Sequence, residues 1–424
     1  MYKKKLVLTA ILAAYLLLSG LLLASCSITY EKPIVIWTNQ VEFATYVELF
    51  NASQDKVKAT VVYKTSPAES LPPASDEPSP DIVIGPWLKN ERIRRYFTPV
   101  DYLFTDQHIN PSIFYPQLLA LGNISGKQYL LPVSFNLPVI MFSTDYQDQI
   151  PDDYLINPDT IRDVAKSFNV VNTSGIFTSM GFAPRWDSDF LYHVAKMKGA
   201  NFAESNDVFS WDKTTLDSTV EYLRNWTITT NNSSSAEEDF KFKYLYTPVE
   251  KWIPSKKCLF SYTTSNELFM IAPEMLQGID FRWLHEDLHI PIEDDIISMG
   301  IFKKSKNIPA AELFLIWFLN EANQKELLEW VNQLNFYSKT FGISGGFSTI
   351  RGVNERVFPL FYPLLMGNLP VAEYITTPNI LPTKWESIRE RIVYPYLLEA
   401  TNTNTETNNA SLEYLITEWR KQFF

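Results

Sequence analysis

Tyr129-Leu130-Leu131-Pro132-Val133-Ser134-Phe135-Asn136-Leu137-Pro138-Val139-Ile140-Met141-Phe142 decides how this 424-residue chain is read. Two short extended runs, Tyr129 to Val133 and Val139 to Ser143, flank the trio Ser134, Phe135 and Asn136, with Pro132 and Pro138 at its edges. Proline has no backbone donor and biases the residue before it toward extended geometry, which excludes a helix and a central strand. The pattern predicts a segment that leaves one folded body and enters another. Phe135 and Asn136 then sit at the seam, where a ligand is expected.

The length supports this, because a chain of this size exceeds what one hydrophobic core usually organises. Hydrophobic content of 46% with 20% charged residues describes a globular chain. The formal net charge is −11. Such a surface repels phosphates, so no nucleic-acid partner is expected.

Residues 1–25 have the form of a targeting segment: Lys3, Lys4 and Lys5, then an apolar run from Leu6 to Leu22. The run is also near the length of a membrane span, so an uncleaved anchor is the other reading. Its end, Leu23-Ala24-Ser25-Cys26, resembles the bacterial lipobox, which implies cleavage before Cys26 and a lipid on that cysteine. Both readings place the remaining chain outside the cytoplasm. Spending Cys26 on lipid leaves Cys258 alone, so no internal disulfide is expected.

Pro33 to Trp37 reads as a strand, with Asn39 capping a helix that turns Phe43, Tyr46, Val47 and Phe50 to one face. Val57 to Tyr63 and Asp81 to Trp87 are further strands, separated by a surface loop, Ser66 to Pro80, with no packing of its own. This order predicts an α/β domain with a largely parallel sheet. Farther on, Asp187 or Ser188 caps one helix and Asp212 another, while Thr229 to Asp239 reads as a polar loop. Ile296 to Phe302 is strand-like. The helix after Pro309 is apolar on nearly every face and must be buried on most sides, against the first sheet.

Two motifs suggest enzymes. His285-Glu286-Asp287-Leu288-His289 matches H-E-x-x-H, in which two histidines one helical turn apart bind zinc. A secreted zinc hydrolase using His285 and His289 is therefore an alternative, although Pro291 and the strand-like Phe281 to Leu284 oppose the helix it needs. Gly342-Ile343-Ser344-Gly345-Gly346 fits G-x-S-x-G, but that fold places its histidine after the serine, and every histidine here precedes Ser344.

The lipobox, Ile36 to Asn39, Asp81 to Trp87, Tyr129 to Asn136, Gly300-Ile301 before an alanine-bearing helix, and Gly345-Gly346-Phe347 together resemble the extracellular solute-binding proteins of ABC importers, the carbohydrate-associated group. The resemblance covers most of residues 30–400. It implies two α/β lobes joined by three crossings, near Phe135, Ser298 and Ile350: residues 26–136 and 298–349 in one lobe, 137–297 and 350–424 in the other. It also implies solute contacts at Trp37, Asn39, Trp87, Phe135, Asn136, Trp186, Asp187, Tyr262, Gly346 and Phe347. Rings that stack on pyranose faces and amides or carboxylates that take hydroxyls suit a sugar; packing is the other role open to each ring. Relatives that bind maltose-type sugars carry an acid where Asn136 stands.

The expectation is a lipid-anchored, monomeric protein facing the periplasm or exterior. It captures a small solute, a sugar or oligosaccharide, for an ABC permease, with no catalytic residues, cofactor or resident metal. A surface scaffold that keeps the fold without transport is the remaining alternative.

Overall fold

The computed structural model describes residues 32–151, 154–206, 208–333, 340–404 and 410–423. The leader, Lys3 to Lys5 and Cys26 lie outside them.

The first lobe is built on β1 (Ile34–Thr38), α1 (Phe43–Ser53), β2 (Ala59–Tyr63) and β3 (Ile82–Gly85). The chain then enters β4 (Leu131–Phe135) and crosses directly into β5 (Pro138–Ser143). Both of these strands are buried along their whole length, which accounts for their lack of polar alternation. The second lobe follows with β6 (Leu155–Ile156), α2 (Ser188–Met197), α3 (Lys213–Asn231), α4 (Ser234–Lys243), β7 (Phe260–Thr264) and β8 (Ile279–Leu284). The chain returns through β9 (Ile297–Ile301), α5 (Ile308–Phe318) and the short β10 (Phe347–Ser348).

The first sheet has the order β10-β4-β9-β3-β1-β2. Here β1 is parallel to β2 and β3, while β9 runs antiparallel to β3 and β4, and β10 antiparallel to β4. The sheet is therefore mixed and not largely parallel as expected, because the strands after β3 enter it from the crossings. The second sheet has the order β7-β5-β8-β6, with β5 antiparallel to both neighbours. The paired prolines therefore mark a path that changes sheets, but they do not exclude central strands as expected: β4 lies between β10 and β9, and β5 between β7 and β8. Pro138 opens its strand, and Pro132 lies where the register with β9 shifts. α5 packs as its composition requires: Phe314 meets Phe50 edge-on at 5.1 Å and Phe318 lies 5.3 Å from Phe43.

Three local expectations need correction. Asn39 does not cap α1. Its Oδ1 accepts from Gln40 Nε2, and the chain makes a further turn before Glu42, which precedes the helix without a side-chain cap. The segment from Ser66 to Pro80 does pack, because Ala68 and Leu71 are buried beside Trp37 and Val83. Thr229 to Asp239 is helical except at a break. α3 runs to Asn231, Asn232 takes φ 70°, and Ser233 caps α4 by accepting from Ala236 N–H. In the tail, Pro395 lies at the start of the helix Tyr394–Ala400 and directly after a π-turn, Arg389–Val393, as its missing N–H and ring demand.

Candidate functional site: the groove between the lobes

Asn136 joins the crossings. Its Nδ2–H donates to the Gly345 carbonyl at 2.9 Å, its Oδ1 accepts from Ser265 Oγ at 2.7 Å, and its backbone carbonyl accepts from Glu293 N–H at 2.9 Å. Beside it, Phe135 stacks on Phe347, with centroids 5.7 Å apart, and Tyr115 meets its edge. Gly346 lies so close that a Cβ there would meet the Phe135 carbonyl oxygen at 2.7 Å. The structure thus brings Phe135, Asn136, Gly346 and Phe347 together, as a tie between lobes. Phe347 is fully enclosed, and both functional ends of the Asn136 amide are taken.

Trp37 lies within β1 and Trp87 two residues past the end of β3, and the buried indole N–H of each lacks a hydrogen-bond partner. Trp37 is fully buried, with the Lys64 ammonium 4.2 Å from its ring centroid. Trp87 is half-buried and packs against the Trp37 cluster of the first lobe and the hydrophobic core of the second. Its backbone has φ 62°, a genuine outlier for a bulky residue, and its indole N–H is buried with no hydrogen-bond partner. Strain and an unused donor at one residue point to a functional surface. Trp87 and Lys89 line a narrow groove of 40 Å³ opposite Asp294 and Ser298. Burial lowers the Lys89 ammonium to about 8. The groove adjoins a cavity of 280 Å³ bordered by Tyr192, Lys196, Phe202 and Thr376; Asp294, Asn379 and Leu381 line both spaces. Asn90 of the first lobe donates to Glu204 of the second at 2.6 Å.

Asp294 is held by three donors: Lys196 Nζ at 2.6 Å, the Tyr192 hydroxyl, and Trp385 Nε1 at 2.9 Å. Burial opposes its charge, but Lys196 and Arg389 outweigh it and keep the carboxyl at about 2. Sequence reasoning missed Lys89, Lys196 and Asp294; their partners are remote in the chain, and no local pattern marks them.

At the start of α2, Asp187 caps the helix through Asp189 N–H, and burial raises its carboxyl pKa. Trp186 stacks on Phe240 at 5.5 Å and donates to the Glu237 carbonyl, so it belongs to the second lobe's own packing. Tyr262 donates to Asp189 Oδ2 at 2.7 Å and Tyr394 to Asp189 Oδ1. Against the same carboxylate lies His193, fully buried, 3.0 Å from Glu293 Oε1 and 3.8 Å from Asp189 Oδ2. Burial disfavours the imidazolium, yet Glu293 and Asp189 together raise its pKa.

The H-E-x-x-H motif forms a two-residue hairpin rather than a helix. Glu286 and His289 exchange backbone hydrogen bonds, with Asp287 and Leu288 at φ 47° and 63°. Glu286 pairs with Lys198 at 2.9 Å, and His289 is exposed. The zincin geometry is not made.

A two-lobe fold with paired crossings and a groove at their seam is that of a binding protein that closes around its solute. The chain belongs to the bacterial extracellular solute-binding proteins, whose family model matches residues 37–325. A comparison with curated protein sequences found no match. Among solved structures, the chain is similar to the sugar-binding protein MalE from Xanthomonas citri, with a TM-score of 0.66 at 13% identity over 92% of this chain and 96% of that one. It is also similar to the GacH receptor of Streptomyces glaucescens, solved unliganded and with acarbose (TM-score 0.60, 12% identity, 92% and 97% covered). A third similar structure is an ABC substrate-binding protein from Listeria monocytogenes in complex with cycloalternan (TM-score 0.59, 14% identity, 92% and 98% covered). At these identities the likeness establishes the fold.

Proposed function

We propose that this chain captures a sugar or oligosaccharide in the groove between its lobes and hands it to an ABC permease, held at the membrane by a lipid on Cys26. The observation that carries this reading is Trp87, whose ring lies against the hydrophobic clusters of both lobes while its indole N–H is left without a protein partner. An aromatic face with an unused donor suits a pyranose ring and its hydroxyls. Lys89 and Asp294 add charged hydrogen-bonding groups nearby. The similar proteins, solved with cycloalternan or acarbose or described as sugar-binding, agree with this solute class. Asp187 and Tyr262 stay in the proposed site at the second lobe's edge, Asn39 and Gly346 at the first. Residues 26–136 with 298–349, and 137–297 with 350–424, are the lobes that would move.

Thermal unfolding of the full chain in detergent, run against sugars, oligosaccharides and peptides, tests the reading. A ligand at about 100 times its Kd stabilises by roughly 2.7 kcal/mol. A rise in Tm with one class of oligosaccharide supports it. A rise with peptides alone overturns the solute class, and no rise with any of them overturns capture.

A further inference from the structure

We propose that Asp189, His193 and Glu293 form a site for one divalent transition-metal ion, with zinc the best-suited cation, at the junction between α2 and the second crossing. The site adjoins the proposed solute site through Tyr262, which donates to Asp189, and is separate from the hairpin histidines.

Each residue offers one ligand atom, and the three atoms lie within 4.8 Å of one another. Zinc takes imidazole nitrogen and carboxylate oxygen at about 2.0–2.2 Å. Two such ligands spanning 3.0 or 3.8 Å, the separations of His193 Nε2 from Glu293 Oε1 and Asp189 Oδ2, leave room for an ion between them. The donor set is one borderline nitrogen and two hard oxygens, which favours a transition ion over calcium.

A second observation points to a ligand. His193 is fully buried, its Nδ1 has no partner, and its Nε2 faces Glu293 Oε1 at 3.0 Å as an ion pair that lacks hydrogen-bond geometry. Buried polar atoms normally make well-formed hydrogen bonds, so an imidazole and two carboxylates converging from two segments without them suit an ion that takes all three as ligands. Asp189 and His193 are one helical turn apart on α2, which presents them side by side. Glu293 comes from the crossing, where its N–H is tied to the Asn136 carbonyl.

The surroundings supply what a metal site needs beyond its ligands. Tyr262 and Tyr394 donate to the two oxygens of Asp189 and fix the plane of the carboxylate. A dication neutralises the two carboxylates while the imidazole binds uncharged, and three protein ligands leave a fourth position for water. Bound there, the ion would pin α2 to the crossing beside Asn136.

The test is zinc content after dialysis of the full chain in detergent, with zinc chloride as the only probe. One retained equivalent in the wild type and in the double variant His285→Ala/His289→Ala is expected. His193→Gln and Glu293→Gln should each weaken binding by more than about 100-fold, beyond the 10–100-fold typical of an outer partner, and Tyr262→Phe by about 10-fold. Should His193→Gln not fold, Glu293→Gln decides. No retained zinc in the wild type, zinc lost in the hairpin double variant, or zinc kept by a folded Glu293→Gln would each overturn the proposal.

Discussion

The side-chain amide of Asn136 donates to the Gly345 carbonyl at 2.9 Å, and its other end accepts from Ser265, so one short side chain fastens a loop of the first lobe to a helix of the second. This explains the residue type. Only an amide both donates and accepts at fixed ends, whereas a carboxylate would set two acceptors against a carbonyl. Asn136→Asp should destabilise the chain by about 1–3 kcal/mol, the cost of a buried group left unsatisfied. Urea denaturation reads this directly. If Asn136 instead served the solute alone, affinity would change with the midpoint unmoved.

The two lobe-edge tryptophans should separate in a binding assay. Trp87→Ala removes the ring that lies against both lobes and the free indole donor. Solute affinity, measured calorimetrically with the oligosaccharide that raises Tm, should fall by about 1.5–3 kcal/mol, roughly tenfold to a hundredfold. Trp186 has one face on Phe240 and its N–H on Glu237, so Trp186→Ala should lower Tm with a much smaller loss of affinity. Equal losses of affinity would return Trp186 to the groove.

The fold was more legible than the site, for reasons visible in single residues. Strands β1, β3, β4 and β9 are mainly apolar, interrupted only by Thr38, Ser134 and Ser298, and Asp187 and Asp212 accept from the first turns of their helices as the sequence pattern implies. Thr229 to Asp239 misled because four of its polar residues, Thr230, Asn231, Ser234 and Glu237, are buried. Thr230 and Asn231 are buried, and Asn231 donates to the Phe182 carbonyl and to Glu237, so polarity there reports a buried hydrogen-bond network. Aromatic residues at strand ends pose the harder problem. Trp37 lies within β1 opposite Val83, whereas Trp87 lies past β3, where the turn after Gly85 gives it a left-handed backbone and places its ring against the other lobe's core. No periodicity distinguishes them. His193 was a lone histidine on an apolar helix face, and only folding brings Glu293 to it from one hundred residues away.

Asp294 sets the acid limb of stability. Its carboxyl lies at about 2 in the folded chain against an ordinary 3.8, so the folded state holds fewer protons in that window. The contribution is complete above pH 3.8 and lost as pH falls from 3.8 to 2, and amounts to about 2 kcal/mol. Asp294→Asn should flatten this limb of the pH–stability curve. It should also lower stability at pH 7, where Lys196 would lose its charged partner. An unchanged acid limb would show that Asp294 gains nothing from its three donors.

Glu237 acts in the opposite sense. It is fully buried, and burial raises its carboxyl from 4.5 to about 7 despite the Asn231 amide and the Arg185 guanidinium, 3.7 Å away. Between those values the unfolded chain has released its proton while the folded chain keeps it. Stability therefore falls as pH rises from 4.5 to 7, by about 3 kcal/mol in all. Glu237→Gln keeps an oxygen for the Asn231 donor and removes the buried charge. Arg185 retains Glu238 at 2.7 Å and Thr401 at 2.9 Å, so the substitution does not orphan it. The variant should match the wild type near pH 4.5 and exceed it by up to about 3 kcal/mol at pH 8, measured by denaturant unfolding across the range. Destabilisation at pH 8 would mean that the Arg185 pair outweighs the cost of burying the carboxylate.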